Sequence, residues 1–268
     1  MSLSDTKIQT VLITGASCGI GCEIARVFAA KGYALILVAR RRSLLEKVAA
    51  ELEGLGAAKV RIIVRDLAVR AAAAEVFREL QAESVPVDIL VNNAGYATYG
   101  PFVRTDLIEE LGMLDLNIAA LTHLTKLFLP DMIRRKYGRI LNVASTAAFQ
   151  PGPYMAAYFA SKAYVFSFSQ AVREELRGTG VSVTVLCPGP TTSEFQARAG
   201  IGKVRLFQAV RLMDAKAVAE DAYRGLMAGR ASVIPGFVNK LLVWCAGWVP
   251  AEFNAKVLRF LQEEGPVT

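Results

Sequence analysis

Histidine is nearly missing from this sequence, which holds one, His123, among 268 residues. Zinc sites commonly use several imidazole ligands, and a serine or cysteine triad uses a histidine as its base. A histidine-rich metal centre is therefore excluded, and any such triad would have to use His123. That residue falls in a helical pattern, where a partly buried structural position is the simpler interpretation. We expect no metal site.

Cysteine is also scarce, and its spacing gives no sign of a disulfide framework. The four cysteines are Cys18, Cys22, Cys187 and Cys245. They form no CxxC pair, and a chain of this length does not need disulfide bonds to fold. The first residues are polar and show no signal peptide. A reduced, cytoplasmic setting is expected.

The sequence also lacks a hydrophobic run long enough to cross a membrane. The apolar stretch 237–249 contains Asn239 and Lys240. It falls short of the ~20 apolar residues that a membrane-spanning helix needs. We therefore predict no transmembrane segment.

Positive charge is in moderate excess, with 31 Lys+Arg against 24 Asp+Glu and a net charge of +7. The densest basic runs lie at 40–42 and 134–136. Neither run is interleaved with the aromatic residues typical of nucleic-acid-binding segments, so we do not expect nucleic acid as a partner. Anionic small molecules are the expected partners.

Apolar segments of strand length alternate with helical patterns along the chain. The predicted strands are 10–14, 34–39, 60–65, 87–91, 138–144, 181–187 and 232–234. The predicted helices are 19–31, one opened by a capping box from Ser43 to Glu46, 69–83, 107–135 and 154–178. Continuously apolar strands separated by helices indicate a parallel sheet covered on both faces, the doubly wound Rossmann-type α/β fold.

This fold binds its ligands at the carboxyl ends of the strands. The irregular composition of 188–202 favours a mobile loop over that end of the sheet. No linker or internal repeat interrupts the pattern, so residues 1–268 are predicted to form one domain, with 235–268 as a C-terminal extension.

A glycine-rich turn follows the first predicted strand and opens the first helix. It reads Thr14-Gly15-Ala16-Ser17-Cys18-Gly19-Ile20-Gly21. Glycine lets the backbone approach a pyrophosphate, and the helix N-terminus offers amide groups to it. The cofactor-binding candidates are Gly15, Ser17, Gly19, Ile20 and Gly21. Because the spacing is not the common GxGxxG, an ordinary glycine-rich turn is the alternative.

Tyr158 and Lys162 lie four residues apart in the long helical pattern, and Ser145 precedes the tyrosine by thirteen residues. Residues i and i+4 share a helix face. An ammonium group beside a phenol favours its ionised form, so Lys162 is expected to lower the pKa of Tyr158. This tuning suits general acid–base catalysis at a carbonyl oxygen. A surface pair is the alternative.

Taken together, these motifs resemble the short-chain dehydrogenase/reductase family. The resemblance rests on TGxxxGxG, then Asn92-Asn93-Ala94-Gly95, then Ser145, Tyr158 and Lys162, then Pro188-Gly189. It covers about residues 10–233. It implies a nicotinamide cofactor, hydride transfer between a carbonyl and an alcohol of small-molecule substrates, and a homodimer or homotetramer formed through the two long helices.

The resemblance also implies roles for four catalytic residues. Asn117 matches the helix asparagine that holds a water linking the lysine to solvent. Ser145 matches the serine that hydrogen-bonds the substrate oxygen. Tyr158 matches the proton donor or acceptor, and Lys162 matches its activator; both also count as cofactor-binding residues.

Further cofactor contacts follow from the same resemblance. Asn93, Ala94 and Gly95 match the segment that braces the sheet near the adenosine, although a plain turn is the alternative. Asp66 matches the residue at the adenine edge, with a helix N-cap as the alternative. The loop after the sixth strand would hold the nicotinamide amide through Pro188, Gly189, Thr191 and Ser193.

The end of the second predicted strand points to NADP(H) rather than NAD(H). NAD-binding proteins commonly place an acidic residue there to bind the ribose hydroxyls. This chain has Ala39-Arg40-Arg41 instead, and both arginines could grip a 2′-phosphate. Cys18 stands where some NADP-using relatives have a basic residue. A solvated basic run is the alternative.

The substrate side is predicted to be moderately apolar. The residues expected around the reacting oxygen are Ala147, Phe149, Tyr154, Met155 and Phe195. The C-terminal extension is rich in leucine and tryptophan, so we expect it to pack on the domain or on a partner subunit. A substrate lid and a membrane-surface patch are the alternatives for it.

Two other functions stay open from the sequence. One is a cofactor-binding regulator or scaffold that keeps the fold without turnover, against which the complete set of four catalytic residues argues. The other is an isomerase or dehydratase on a related fold. Those relatives usually have a different glycine spacing, which this chain lacks.

Overall fold

Seven parallel strands form one sheet in the computed structural model, which describes residues 8–192, 194–201, 204–205 and 212–263. The strands are β1 (Thr10–Thr14), β2 (Ala34–Ala39), β3 (Lys59–Val64), β4 (Ile89–Asn92), β5 (Gly138–Val143), β6 (Val181–Leu186) and β7 (Ser232–Val233). Their order across the sheet is β3-β2-β1-β4-β5-β6-β7. The predicted doubly wound α/β fold is confirmed.

Ten α-helices are seen among the described residues. They are α1 (Gly19–Ala29), α2 (Arg42–Gly54), α3 (Ala72–Ala82), α4 (Leu107–Leu114), α5 (Leu121–Arg134), α6 (Ala156–Glu175), α7 (Glu194–Ala199), α8 (Ala215–Met227), α9 (Phe237–Ala246) and α10 (Ala251–Gln262). A π-helical turn (Asp115–Ala120) joins α4 to α5, and a 3₁₀ turn (Thr146–Phe149) follows β5.

The helices cover both faces of the sheet because strand side chains alternate between the faces. All five residues of β1 are buried. Val11 and Ile13 pack with α1, α2 and α8, whereas Leu12 packs on the opposite side with α3 and α5. Strands buried on both faces need apolar residues at nearly every position, which explains the continuous apolar runs in the sequence.

The strand order reverses between β1 and β4, which lie side by side in the middle of the sheet. The connections from β1 and from β4 therefore leave in opposite directions at the carboxyl edge. In doubly wound folds such a reversal leaves a crevice for a ligand. The crevice lies next to the glycine-rich turn, which connects β1 to α1.

Helices α2 and α3 start at other residues than the sequence-based prediction gave, and the predicted single helix 107–135 is α4 and α5 joined by the π-helical turn. The capping box at Ser43 is wrong: α2 begins at Arg42, and the amide of Leu45 donates to the carbonyl of Arg41 at 3.1 Å. Helical bonding therefore starts before Ser43 could cap it. Helix α3 begins at Ala72 rather than at 69, because Asp66 accepts from the amide of Ala68 at 3.1 Å and holds a turn there.

The segment predicted to be an irregular, mobile loop contains a helix that the sequence did not indicate. Helix α7 starts shortly after Thr191, which forms an isolated parallel bridge with Met213. The two C-terminal helices, α9 and α10, follow β7. Over the described part of the chain, every helix falls below the combination of length and hydropathy that crossing a bilayer requires.

Candidate active site

A cavity of about 670 Å³ opens at the carboxyl ends of the strands, at the reversal between β1 and β4. Most of the predicted site residues line it: Gly15, Ser17, Gly19, Ile20, Arg40, Arg41, Asp66, Asn93, Ala94, Gly95, Ser145, Tyr158, Lys162, Pro188, Gly189 and Thr191. Gly21 and Asn117 are instead buried next to its wall. Ser193 lies outside the described residues.

The turn between β1 and α1 has the geometry of a phosphate cradle. Gly15 and Gly19 have φ angles of +65° and +58°, which favour glycine. The first turn of α1 reads Gly19-Ile20-Gly21-Cys22 and so brings no carboxylate near the helix N-terminus. Backbone amides and the positive end of the helix dipole are therefore available to an anion. The phosphates of a dinucleotide fit this arrangement.

Asn93 braces the glycine turn from the neighbouring strand. Its side-chain nitrogen donates to the carbonyls of Thr14 at 2.9 Å and Gly15 at 3.2 Å. The hydroxyl of Thr14 in turn accepts from the amides of Asn93 and Ala94, each at 3.0 Å. A Cβ on Gly21 would lie 2.3 Å from the Asn93 nitrogen. Gly21 is thus placed against this brace rather than in the cavity.

Ser145 and Tyr158 meet on the cavity floor. Ser145 follows β5 and accepts from the amide of Ala147 at 3.1 Å, while its hydroxyl donates to the carbonyl of Pro188 at a long 3.4 Å. Tyr158 lies in the first turn of α6, is 8% exposed, and shares a hydrogen bond with the Ser145 hydroxyl. The two hydroxyl groups are therefore next to each other, where one carbonyl oxygen can reach both.

Lys162 lies one helical turn after Tyr158, on the same side of α6. Its ammonium donates to the carbonyl of Val143 at 2.9 Å and lies 5.7 Å from the centre of the Tyr158 ring. Only 6% of the lysine is exposed. The end of β5 therefore fixes the position of this buried charge behind the phenol.

Burial, rather than the lysine charge, dominates the titration of this pair. It raises the pKa of Tyr158 to about 12, opposed in part by the hydrogen bond from Ser145. It lowers the pKa of Lys162 to about 8, opposed in part by Cys187. The expectation that Lys162 lowers the tyrosine pKa is therefore wrong for this structure, because both groups are desolvated and the ammonium points to Val143.

Asn117 lies in the π-helical turn between α4 and α5, next to these residues. Its side-chain nitrogen donates to the carbonyl of Tyr96 at 3.0 Å and to the hydroxyl of Ser161 at 3.1 Å. A Cβ on Gly95 would lie 2.8 Å from the Asn117 side-chain oxygen and 3.5 Å from the Lys162 nitrogen. The lack of a side chain at Gly95 thus lets the side chains of Asn117 and Lys162 lie close to its backbone. Single π-turns are common at functional sites.

The two arginines at the other end of the cavity each contact an acidic residue. Arg40 lies 3.2 Å from a carboxylate oxygen of Asp66. Arg41 lies 2.7 Å from Glu194 on α7 and donates to the Cys18 sulfur at 3.1 Å. The same contact with Arg41 is the main cause that lowers the pKa of Glu194. Since all four charged groups line the cavity, an incoming phosphate would compete with the two carboxylates for the arginines.

The loop after β6 lines the cavity between the catalytic candidates and the two arginines. The Pro188 carbonyl accepts from the Thr146 amide at 2.9 Å, and the Thr191 hydroxyl donates to the Gly189 carbonyl at 2.9 Å. A Cβ on Gly189 would lie 2.4 Å from the side chain of Asn239 at the start of α9. The loop is therefore held between the 3₁₀ turn and the C-terminal helices.

The substrate side of the cavity contains four of the five predicted apolar residues. Ala147, Phe149, Met155 and Phe195 line it. Tyr154 does not lie among the lining residues: its ring faces Tyr99, and its hydroxyl contacts Glu263 at 3.2 Å. The backbone of Tyr154 is left-handed, with φ +65°.

For the C-terminal extension, sequence reasoning offered a substrate lid only as an alternative and identified none of its cavity-lining residues. The lining residues of the C-terminal extension are Val238, Asn239, Leu242, Val243, Cys245, Ala246, Val249, Asn254, Val257, Leu258, Leu261 and Gln262. Their helical spacing is visible in the sequence and could have identified a common face. Arg65 and Glu194 also line the cavity, and nothing in the sequence signalled the pairing of Glu194 with Arg41.

Comparisons with known proteins give one family. A family model described as short chain dehydrogenase matches residues 9–204. The NADP-dependent 3-hydroxy acid dehydrogenase YdfG of Escherichia coli K12 is 34% identical over 259 residues, covering 96% of this chain and 95% of its own length. A short chain dehydrogenase of Pseudocercospora fijiensis is 37% identical over 193 residues, covering 70% of this chain. The match spans 62% of that fungal protein, less than two thirds of its length.

A solved structure agrees with these sequence matches. The short-chain dehydrogenase from Sphingobium yanoikuyae in complex with NADPH superposes with a TM-score of 0.81 at 32% identity. The superposition covers 90% of this chain and 94% of that protein. The likeness therefore extends over nine tenths of this chain.

Proposed function

This chain belongs to the short-chain dehydrogenase/reductase family, and we propose that it interconverts a carbonyl and an alcohol with NADP(H) as cofactor. Membership makes it an NAD(P)-dependent oxidoreductase of CH–OH and carbonyl groups. The observation that carries the proposal is the meeting of Ser145, Tyr158 and Lys162 in the cavity that also contains the glycine cradle.

In the direction of reduction, the residues act on the carbonyl oxygen. When bound, NADPH supplies the hydride that is added to the carbonyl carbon. Tyr158 donates its phenolic proton to the oxygen, which becomes the alcohol hydroxyl. A pKa of about 12 keeps the phenol protonated at neutral pH, as a proton donor must be.

Ser145 orients the substrate for this transfer. The bond that its hydroxyl donates to Pro188 is a long 3.4 Å, so it can exchange that partner for the substrate oxygen at little cost. Lys162 holds a positive charge behind the phenol while the proton leaves. Asn117 supports the relay that restores the proton, a role favoured by its position beside Gly95 and Lys162.

The preference for NADP(H) rests on the second strand. Ala39 ends β2, so no carboxylate occupies the place where one would bind the ribose hydroxyls of NAD. Arg40 and Arg41 follow at once and line the cavity. A 2′-phosphate offers each guanidinium a charged acceptor in place of its present carboxylate. The solved relative in complex with NADPH supports this choice.

We also propose a homodimer or homotetramer formed through the helical segments predicted at 107–135 and 154–178, the first of which begins with α4. Helix α4 presents Leu107, Ile108 and Leu111 to solvent, with exposed fractions of 69%, 81% and 51%. Apolar residues this exposed on one helix commonly mark a contact surface.

All four cysteines are unpaired, which supports the proposal that the protein works in a reducing compartment such as the cytoplasm.

The test is a screen of aldehydes, ketones and secondary alcohols, with nicotinamide absorbance as the readout. We expect NADPH-dependent reduction of at least one carbonyl compound, and no activity in the double variant Ser145→Ala, Tyr158→Phe. Tight NADPH binding with no turnover of any compound would instead favour a regulator that retains the fold.

A further inference from the structure

The wall opposite the catalytic residues is built from one face of each C-terminal helix. On α9 the lining positions recur at helical spacing: Val238, Asn239, Leu242, Val243, Cys245 and Ala246. On α10 they recur in the same way: Asn254, Val257, Leu258, Leu261 and Gln262. Two helix faces that point into one cavity form a continuous wall rather than scattered contacts.

This wall is mostly apolar, and part of it is exposed to solvent. Val238, Leu242 and Val257 line the cavity yet remain 65%, 60% and 43% exposed. Phe149 and Phe195 extend the apolar surface beside Tyr158. Apolar side chains that stay exposed inside a concave site gain free energy when an apolar ligand removes them from water.

Positive charge is concentrated away from this wall. Among the described lining residues, the cations are Arg40, Arg41, Arg65 and Lys162. The first three lie at the ends of β2 and β3, and Lys162 is bound to Val143 behind the phenol. The described walls formed by α9 and α10 therefore offer no cation to a substrate carboxylate, and burying an unpaired carboxylate is costly.

One polar group in the wall lacks a partner. The side-chain oxygen of Gln262 is buried and accepts no hydrogen bond within the described structure. Gln262 is 1% exposed and lines the cavity, and its backbone carbonyl accepts from the hydroxyl of Tyr99 at 2.6 Å. A buried acceptor without a donor is unfavourable unless a ligand supplies one.

We propose that the substrate is a neutral, elongated and largely apolar carbonyl compound whose remote hydroxyl or amide N–H group bonds to Gln262. Its apolar body lies between α9 and α10 while the carbonyl faces Ser145 and Tyr158. This inference rests on the proposed function. It separates this chain from the relative YdfG, which is named for a 3-hydroxy acid.

The first experiment measures kcat/KM for NADPH-dependent reduction of methyl ketones of increasing chain length. We expect a rise of about fourfold for each methylene that the wall buries. A 3-oxo acid is compared with its methyl ester, and the ester should be favoured by at least about tenfold. Equal values along the ketone series, or a preference for the free acid, would overturn the inference.

A matched pair of variants locates the apolar contact on α9. Val243 lines the cavity, whereas Leu241 on the same helix does not and is 48% exposed. Val243→Ser should reduce the advantage of the long ketones over the short ones several-fold, and Leu241→Ser should leave it unchanged. Equal losses in the two variants would contradict this placement.

A cycle of ligands and variants tests Gln262. Methyl ketones with and without a terminal hydroxyl are compared on the wild type and on Gln262→Leu, with NADPH affinity as the check of correct folding. The hydroxyl should improve kcat/KM about tenfold at one chain length in the wild type and lose that benefit in the variant. A benefit that survives in the variant would remove Gln262 from the proposal.

Binding separates this inference from the proposed function. A ketone cannot be reduced by NADP⁺, so calorimetry on the NADP⁺-loaded protein measures binding alone. The same dependence on chain length without any turnover would overturn the proposed function and keep the ligand class. Turnover combined with binding that favours short acids would keep the proposed function and overturn this inference.

Discussion

At the level of single residues, the two arginines after β2 already have acidic partners. Arg40 contacts Asp66, and Arg41 contacts Glu194. All four side chains are more than a third exposed, so these ion pairs contribute little to stability. A 2′-phosphate brings more charge and more acceptor oxygens than either carboxylate, so it should displace them.

We therefore expect Arg40→Ala to weaken NADPH about tenfold to a hundredfold while NADH affinity barely changes. One charge-assisted hydrogen bond contributes roughly 1.5–3 kcal/mol, and 1.4 kcal/mol is a factor of ten. Arg42→Ala is the control, since Arg42 does not line the cavity. Titration of both cofactors decides the point. Equal losses for the two cofactors, or equal wild-type affinities, would contradict the preference for NADP(H).

The phenol of Tyr158 should be required for turnover but not for cofactor binding. Tyr158→Phe removes the proton donor, and general acid–base groups contribute about 10²–10⁴-fold to rate. We expect a loss in kcat of that size with near-normal NADPH affinity. Tyr164→Phe is the control on the same helix, because its hydroxyl contacts Thr122 and is exposed. Near-normal turnover in Tyr158→Phe would refute the mechanism.

At the level of elements, helix α6 should set the pH dependence of activity, because it carries Tyr158 and Lys162, the proposed catalytic pair. The pKa of Lys162 is lowered to about 8 and that of Tyr158 is raised to about 12. Below pH 8 both groups are protonated, so reduction should be independent of pH there. As the pH rises through about 8, Lys162 loses its charge and kcat/KM for reduction should fall.

The variant Lys162→Arg checks this assignment, because arginine keeps its charge far above pH 8. If it folds, as judged by NADPH binding, the decline near pH 8 should disappear or move to higher pH. A decline at the same pH in the variant would assign that titration to another group. The control Lys126→Arg, on α5 outside the cavity lining, should leave the profile unchanged.

The strands could be predicted from the sequence because burial on both faces leaves little choice of residue. β1, for example, was predicted with its observed ends, Thr10 and Thr14. Helix starts were harder to predict, because they depend on which backbone amide makes the first helical hydrogen bond. In α2 the Leu45 amide donates to the carbonyl of Arg41, ahead of the predicted cap at Ser43. Helix α7 was not predicted, because its contact with the rest of the domain, the ion pair between Glu194 and Arg41, joins residues far apart in the sequence.

Tyr158 and Lys162 were predicted as a pair because their spacing along the chain is local, whereas Asn117 was predicted only from the family resemblance. Tyr158 and Lys162 are one turn apart on one helix. The pKa of the tyrosine was predicted wrongly because depth of burial is not visible in spacing. The C-terminal wall was predicted only as the alternative of a substrate lid, because the sequence shows that the extension is apolar but not which side of each helix faces the cavity.

At the level of the whole molecule, exposed apolar residues on α4 predict self-association. We expect Ile108→Glu to lower the mass in solution from that of a dimer or tetramer to that of a single chain, because a buried unpaired carboxylate opposes assembly. Analytical ultracentrifugation measures this. Leu241→Glu, on α9, is the control that leaves α4 intact. A wild type that is monomeric at all concentrations would contradict the proposal.

The order of the parts along the chain has a practical consequence for redesign. The glycine turn and the proposed catalytic residues all precede β7, whereas the wall formed by α9 and α10 follows it. The segment after residue 235 can therefore be exchanged without altering a residue that is proposed to bind the cofactor or to transfer the proton. A chimera carrying the tail of a relative should inherit that relative's choice of substrate while keeping this chain's cofactor.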